Sequence, residues 1–345
     1  MGRKPYRVEL SYSHGRPSYY LVKDVWVQGK KRKTRKYIGR YQPTSKELEN
    51  YRRDFAYEIE MRVAEKKAEM SCSLYKSEFL SLDQVRDIET IRFLYKTFTE
   101  LLTTSEIEVY ERNFEINYVQ GTTSIEGNTL STNQVSDLLI NGIAPKDKSL
   151  REINEVQNFK KVKTYRDKYK GKVTTDFVRT LHSLVMSNID FDAAGAFRRT
   201  DDVGIAGCDL QVTPSVLIEG ELNRIIKKYY EKIEENWFPF EAAVMFHYYF
   251  EMIHPFADGN GRVGREILNY MLKRLGYPRL LFLGSDRDAY INSLKLGNGK
   301  RYSEMIETFF DLIYKQRYHV LVNNLKNVVI PPQKSKQRLL SDFVL

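Results

Sequence analysis

A twelve-residue segment, HPFADGNGRVGR, places several side chains suited to phosphate chemistry between His254 and Arg265. An imidazole whose ordinary pKa lies near neutrality can accept a proton from a hydroxyl, so His254 is a candidate general base. Gly259 and Gly261 come directly before a helix predicted to begin near Arg262, and the unpaired N–H groups at the start of a helix attract anions. The segment therefore predicts a general base beside an anion site, an arrangement suited to chemistry on a phosphate group.

Four further side chains of the segment fit the same chemistry. Asp258 offers an oxygen ligand suited to Mg²⁺, and the amide of Asn260 can donate to a phosphate oxygen. Arg262 and Arg265 lie three apart in the first turn of the predicted helix, so they can approach one anion from the same side. Each residue alone has an ordinary structural explanation: a helix stop, a turn or a surface arginine. Their combination within twelve residues favours an active site.

The elements that must position this segment are mainly helical. The apolar stretch EAAVMFHYYFEMI (241–253) predicts a buried helix that ends at His254, where Pro255 follows. Thr44 and Glu47 have capping-box spacing at the start of another helix. Between helices, residues 200–213 contain two short β-like runs around Gly207, which predict an inserted hairpin. Amphipathic helices are predicted over about 44–70, 82–103, 105–124, 131–140, 149–168, 174–187, 215–234, 240–253, 262–275 and 301–325.

The net charge of +10 comes from the beginning of the chain. Residues 1–42 hold twelve Lys/Arg and two acids, so the remaining residues sum to zero. Two stretches rich in Val, Tyr and Trp, 18–27 and 33–39, flank a glycine turn and predict a small basic β-hairpin module over 1–43. Its cations could contact phosphates while its aromatic rings stack on bases; a solvated face or a docking surface for an acidic protein are the alternatives. The residues of this cluster are Lys30, Lys31, Arg32, Lys33, Arg35 and Lys36, interleaved with Trp26 and Tyr37.

Other classes of protein are disfavoured by composition. No run of about 18 apolar residues predicts a membrane span, and the N-terminal residues lack the apolar core of a signal peptide, so we expect a cytoplasmic protein. Cys72 and Cys208 lie far apart without metal-ligand spacing, so both are expected to be ordinary thiols. A homo-oligomer is compatible with the sequence, although no interface can be identified in it.

The segment resembles the signature of the Fic family, HxFx(D/E)GNGRxxR, at every position. The resemblance implies a mainly α Fic-type helical bundle over about residues 100–315, which transfers AMP from ATP to a Ser, Thr or Tyr hydroxyl. It implies that His254 takes the proton, that Asp258 holds Mg²⁺, and that Phe256 anchors the loop. It also implies that the phosphates are held by Gly259, Asn260, Gly261, Arg262 and Arg265.

Further features of the family can be placed on this sequence. Gly195-Ala196-Phe197-Arg198 resembles the GxFR segment, and the hairpin at 200–213 resembles the flap that pairs with target backbone. Tyr290 and Asn298 are similar to the adenine pocket, although a buried tyrosine and a capping asparagine would explain them equally well.

A second motif resembles the family's inhibitory sequence (S/T)xxxE(G/N). Thr122, Glu126 and Gly127 occupy its positions, in a helix expected near 107–127. In members with this motif the glutamate pairs with the second arginine of the signature, here Arg265, and denies it to the γ-phosphate. The resemblance therefore implies an adenylyltransferase that inhibits itself and that, as in some related members, also removes AMP.

Two alternatives remain open at this point. The same fold could transfer another phosphate-containing group, or the chain could act chiefly as a nucleic-acid-associated regulator through residues 1–43. The expected domain organisation is a basic module at 1–43, a helical region at 44–105, a Fic domain at 106–320 and a C-terminal tail at 327–345.

Overall fold

The structure is a computed structural model that describes residues 6–204 and 212–329. The chain divides into two compact units. The first comprises Met1–Tyr75, Ser81–Tyr110 and Ile313–Leu345, and the second comprises Lys76–Leu80 and Glu111–Leu312. The described part is mainly helical, as the sequence predicts, with one small sheet near its beginning.

The sheet of the first unit has three antiparallel strands in the order β1-β2-β3: β1 (Arg7–Ser13), β2 (Arg16–Val27) and β3 (Lys30–Gly39). Its second turn was predicted from Gly29, and both central residues there have positive φ, 44° at Gln28 and 78° at Gly29. Such turns match the twist of the strands they connect. The strand β1 was not predicted, so the basic module is a three-stranded sheet rather than a two-stranded hairpin.

Four helices complete the described part of the first unit, together with the beginning of a fifth. They are α1 (Ser45–Asp54), α2 (Ala56–Cys72), α3 (Leu82–Leu101) and α13 (His319–Val329). The capping box predicted at Thr44 is present, because the Thr44 hydroxyl accepts from the Glu47 N–H and the Glu47 carboxylate accepts from the Thr44 N–H. The predicted helix over 44–70 is interrupted at Phe55, where the backbone leaves helical geometry.

The second unit is a helical bundle around α9 and α10. The helix α4 (Thr104–Ile125) begins in the first unit and ends in the second. The others are α5 (Thr132–Ser136), α6 (Leu150–Lys168), α7 (Thr175–Val185), α8 (Ile218–Glu234), α9 (Pro239–Ile253), α10 (Asn260–Arg274), α11 (Arg287–Asn298) and α12 (Tyr302–Ile313). One-turn π segments follow α5 (Asp137–Asn141) and α12 (Tyr314–Tyr318), and short 3₁₀ turns cover Ser215–Leu217 and Gly284–Asp286. No helix in the described ranges is both long and apolar enough to cross a lipid bilayer.

A buried ion network ties α4 to α6 and α10. Arg166 bonds Glu115 at 3.0 Å and Glu266 at 3.0 Å, and Arg279 bonds the same Glu115 at 2.8 Å. Burial raises the pKa of Glu115, but Arg279 and Arg166 outweigh this effect and lower the pKa to about 2. Because removing one partner leaves a buried charge uncompensated, these residues constrain how α4 lies on α10.

The end of α4 also packs closely on the segment before α11. A side chain at Gly121 would collide with the backbone carbonyl of Phe282, since even a Cβ atom there would overlap it. A backbone atom cannot rotate away as a side chain can. Glycine at 121 therefore sets how closely α4 approaches Phe282.

We expect Gly121→Ala to lower the free energy of unfolding by about 1–3 kcal/mol, because overpacking outweighs the better helix propensity of alanine. Gly220→Ala is the matched control, since it lies in α8 with open space around its Cβ position. That change should be neutral or stabilise by about 0.5–1 kcal/mol. Thermal or urea unfolding measures both, and an equal effect of the two substitutions would refute the close approach.

Candidate active site

The candidate base, His254, ends the buried helix α9. It adopts a left-handed conformation, with φ of 47°, and its N–H bonds the carbonyl of Phe250 at 3.0 Å. The Arg198 guanidinium donates to the His254 carbonyl at 2.8 Å, so the Gly195–Arg198 segment fixes this corner. Burial lowers the pKa of His254 to about 4, below the near-neutral value assumed from the sequence. The imidazole is therefore neutral at physiological pH and able to accept a proton.

The loop after His254 is anchored in the core by Phe256. This ring is fully buried and stacks on His182 at a centroid distance of 3.6 Å. His182 was not identified from the sequence. Its Nδ1 accepts from the Gly195 N–H at 2.9 Å, which leaves its Nε2 to donate to the Asp258 carbonyl at 2.9 Å. Burial lowers the pKa of His182 to about 4, so it acts here as a neutral brace for the loop.

Asn260 closes the loop on itself. Its Oδ1 accepts from the Phe256 N–H at 2.9 Å, and its Nδ2 donates to the Phe256 carbonyl at 2.8 Å. The amide that we expected to bind phosphate is thus engaged with backbone and buried. Both polar atoms of the Asn260 side chain are used to hold the backbone of the loop.

The helix α10 starts at Asn260, directly after Gly259 in a left-handed conformation with φ of 81°. The N–H groups of its first turn lack acceptors within the helix, and the helix dipole favours an anion at this N-terminal end. A cavity lies at the same end of the helix. The solvent-open cavity here has a volume of about 160 Å³. Its lining includes His254, Asp258, Gly259, Asn260, Gly261 and Arg265 from the predicted segment.

Arg265 lies in the core and is held by the end of α4. Its Nε donates to the Thr122 hydroxyl at 2.8 Å, and its Nη2 donates to the Thr122 carbonyl at 2.8 Å. The same Nη2 lies 2.7 Å from a carboxylate oxygen of Glu126. Burial alone would lower the pKa of Arg265, but the carboxylate beside it raises that pKa above its ordinary value. The structure thus brings together the pair that the resemblance implied.

Gly127, two residues after the last residue of α4, has a left-handed conformation with φ of 97°. The following residue, Asn128, donates to Glu155 at 2.9 Å, and a Glu155 oxygen lies 3.3 Å from Arg262. The end of α4 therefore reaches both arginines of the segment: Arg265 directly and Arg262 through Glu155. Arg262 and Arg265 therefore have separate acidic partners. The helical spacing had suggested that both would approach one group, and they do not.

The candidate metal ligand, Asp258, is engaged by cations. It forms ion pairs with Arg151, from the first turn of α6, and with Arg262 at 3.1 Å. Burial raises the pKa of Asp258, but Arg262, the Gly259 N–H and Arg151 lower it below its ordinary value, so the carboxylate is ionised at neutral pH. Its side chain is 43% exposed.

An accessible carboxylate such as that of Asp258 fits Mg²⁺ better than most metals. Within residues 6–204 and 212–329 no group of three or more His, Cys, Asp or Glu is placed to hold a metal ion. Mg²⁺ commonly binds through one or two carboxylates plus substrate phosphates and water, and Asp258 at the rim of a phosphate-sized cavity matches that donor set.

The two predicted adenine contacts are placed differently. Tyr290 in α11 lines the cavity, and its hydroxyl lies 3.0 Å from Nε2 of the buried His247. Asn298 is exposed at the end of α11 and is not among the residues that line the cavity. The apolar side chains of Ile291 and Leu294 line it instead, and neither was identified from the sequence.

Two charged residues of the cavity were also missed. Arg287 lines it and donates to the carbonyl of Ile125 at 3.0 Å, so α11 is tied to the end of α4. Glu251 also lines the cavity, and its burial raises its pKa to about 8. It is an isolated acid in an apolar helix, and the sequence did not indicate that it would line the site.

The predicted flap falls largely outside the described residues, because 205–211 are not described. Its flanking residues, 200–204 and 212–213, are not in strands. Gly204 lines the cavity, so the chain enters this segment beside the site.

Comparison with known proteins agrees with this geometry. Residues 172–272 match the model of the Fic/DOC family. Protein adenylyltransferase fic-1 of Caenorhabditis briggsae is 30% identical over 216 residues, which cover 61% of this chain and 42% of that protein. Protein adenylyltransferase Fic of Drosophila ananassae is 31% identical over 193 residues, covering 52% and 36% respectively. The chain thus spans less than half the length of these curated relatives.

Solved structures show the same fold. A fragment of Fic-1 from Caenorhabditis elegans has a TM-score of 0.60 at 22% identity and covers 84% of this chain and 88% of its own. A Fic-domain-containing signalling protein from Bacteroides thetaiotaomicron has a TM-score of 0.58 at 22% identity, covering 69% and 96%. The loop at His254 and much of the bundle that carries it therefore lie in a region, residues 172–272, that is similar to the Fic/DOC family.

Proposed function

We propose that the chain is an autoinhibited protein adenylyltransferase, which transfers AMP from ATP to a Ser, Thr or Tyr hydroxyl of a target protein or of itself. The names of the curated relatives support the reaction. The observation that carries the inhibition is the contact of Glu126 with Arg265, since a fully buried arginine already bonded to Thr122 and Glu126 is not available to a triphosphate.

In this reaction the target hydroxyl oxygen bonds to the α-phosphorus, and the bond from that phosphorus to the bridging oxygen of the β-phosphate breaks. The hydroxyl proton passes to the neutral imidazole of His254, and pyrophosphate leaves. The N–H groups at the start of α10 and the guanidinium of Arg265, once released, stabilise the negative charge that develops on the phosphates.

Asp258 is the residue that would hold Mg²⁺, which would neutralise charge on the phosphates when bound. In the present arrangement Arg151 and Arg262 engage that carboxylate. Metal binding therefore requires Arg151, the more exposed of the two, to move away from Asp258.

The adenine is proposed to lie against Tyr290, Ile291 and Leu294, whose rings and alkyl groups form the apolar part of the cavity. Asn298 would have to be brought closer to contact it. We also propose, from the family resemblance, that the same site removes AMP from a modified target while Glu126 is in place.

We expect Glu126→Gly to raise self-labelling by α-labelled ATP at least tenfold over the wild-type chain, because Arg265 becomes available to the γ-phosphate. Labelling with α-labelled GTP, CTP and UTP in parallel identifies the donor, and mass spectrometry identifies the transferred group. Glu152→Gln is a suitable control, because Glu152 caps α6 and bonds Thr129 without contacting Arg265.

Unchanged labelling by a folded Glu126→Gly protein would contradict autoinhibition. Labelling by a group other than a nucleoside monophosphate would favour the alternative in which the fold transfers a different phosphate-containing group.

We expect His254→Ala, in the Glu126→Gly background, to lower the rate of labelling by about 10²–10⁴-fold while ATP affinity changes little. His254→Asn is the matched variant, because asparagine tolerates the left-handed backbone that alanine does not. His14→Asn, an exposed histidine of similar backbone conformation, serves as the control. Single-turnover labelling and ATP titration measure both quantities, and near-normal labelling by the asparagine variant would remove His254 from the mechanism.

A further inference from the structure

The three-stranded sheet of the first unit has one face covered and one open. Side chains alternate along a strand, so Leu21 and Val25 of β2 lie on one face and Tyr20 and Trp26 on the other. Leu21 and Val25 are buried, and Lys23 on their face bonds the buried Glu60 of α2 at 2.6 Å. The helix α2 therefore covers this face. The opposite one, which we call the outer face, is open.

Aromatic side chains lie at both ends of the outer face. Trp26 is 57% exposed, and Tyr37, paired with Tyr20 across β2 and β3, is 47% exposed. Tyr20 and Trp26 are six residues apart on one strand, which is a separation of about 20 Å at the usual rise.

Cations fill the space between the rings. The register aligns Lys31, Lys33 and Arg35 of β3 with Trp26, Asp24 and Val22 of β2, so all three lie on the outer face, and Arg7 of β1 joins them. Lys31 lies over the Trp26 ring at 5.3 Å, and Arg35 lies over the Tyr20 ring at 5.9 Å.

Two carboxylates organise these four cations. Glu9 lies 2.8 Å from Lys33 and 3.2 Å from Arg35, and Asp24 lies 2.9 Å from Lys31 and 3.0 Å from Arg7. Since each carboxylate is shared by two cations, the face keeps an excess of positive charge. Because these ion pairs are exposed to solvent, each contributes little free energy. An anion that binds the same cations therefore loses little by displacing Glu9 or Asp24.

The excess charge is a property of the whole sheet. Residues 6–42 contain ten Lys/Arg and two acids, whereas residues 43–345 are neutral in sum. Net charge would therefore attract a polyanion to this part of the chain.

We propose that the outer face binds single-stranded nucleic acid, with bases stacking on Trp26 and Tyr37 and the phosphates lying over Lys31, Lys33 and Arg35. Rings at the two ends of an open sheet face, with cations between them, match a strand that can stack a base at each end and lay its phosphates over the cations. An acidic peptide would use the cations but would leave the rings exposed, and a duplex would hide the base faces that the rings require.

The test is fluorescence anisotropy of labelled single-stranded DNA and RNA oligonucleotides, titrated with the full-length protein at several salt concentrations. We expect micromolar or tighter binding at low salt that weakens as salt rises. Trp26→Ala and Tyr37→Ala should each weaken it by at least about fivefold, since a stacked base contributes about 1–3 kcal/mol. Tyr37→Phe should keep the affinity, because it keeps the ring.

Tyr12→Ala is the matched control. Tyr12 belongs to the same sheet and is 68% exposed. Its side chain alternates to the face opposite the outer face, away from the cations. Glu9→Gln with Asp24→Asn should tighten binding, because four cations lose their internal partners. Circular dichroism and thermal unfolding establish that each variant is folded.

The absence of binding at low salt would overturn the proposal. So would binding that is equal for Trp26→Ala and the wild type, or equal for oligonucleotide and polyglutamate, since these results indicate a surface for any polyanion or for an acidic protein. Tighter binding of duplex than of single strands would also overturn it.

Discussion

The site depends on one buried arginine. Arg265 cannot give up its charge, and in the core of the bundle it requires acceptors; Thr122 and Glu126, at the end of α4, supply them. In the function proposed above, a triphosphate entering the cavity would offer the same guanidinium an alternative set of oxygens. Glu126 and the γ-phosphate would then compete for one cation, and the end of α4 would control catalysis without any large change in the fold.

The remaining contacts of α4 fix the position of the helix that precedes Glu126. Gly121 allows α4 to approach the backbone of Phe282, and the buried pairs of Glu115 with Arg166 and Arg279 fix its position relative to α10. Asn128 connects this segment to Arg262 through Glu155. The carboxylate of Glu126 thus follows a helix that is held in place by buried contacts, while its own side chain is 34% exposed to solvent.

Patterns local in sequence were predictable, and contacts between distant elements were not. The apolar stretch over 241–253 predicted a buried helix, and Pro255 predicted its end at His254. The spacing of Thr44 and Glu47 predicted the capping box. The pair of Glu126 with Arg265 was anticipated only because a family motif pointed to it. His182, Arg287 and Glu155 are ordinary residues of amphipathic helices, and only their packing gives them roles. The cytoplasmic location and the domain boundaries stay predictions, and the sequence does not identify the target.

The most direct measurement of the central claim is the ATP affinity of four proteins by calorimetry: the wild type, Glu126→Gly, Arg265→Ala and the double variant. If Glu126 withholds Arg265 from the triphosphate, Glu126→Gly tightens ATP binding by about tenfold or more, as expected for a charge-assisted hydrogen bond worth about 1.5–3 kcal/mol. The gain should disappear in the Arg265→Ala background. An equal affinity of the wild type and Glu126→Gly, or a gain that persists without Arg265, would contradict the account.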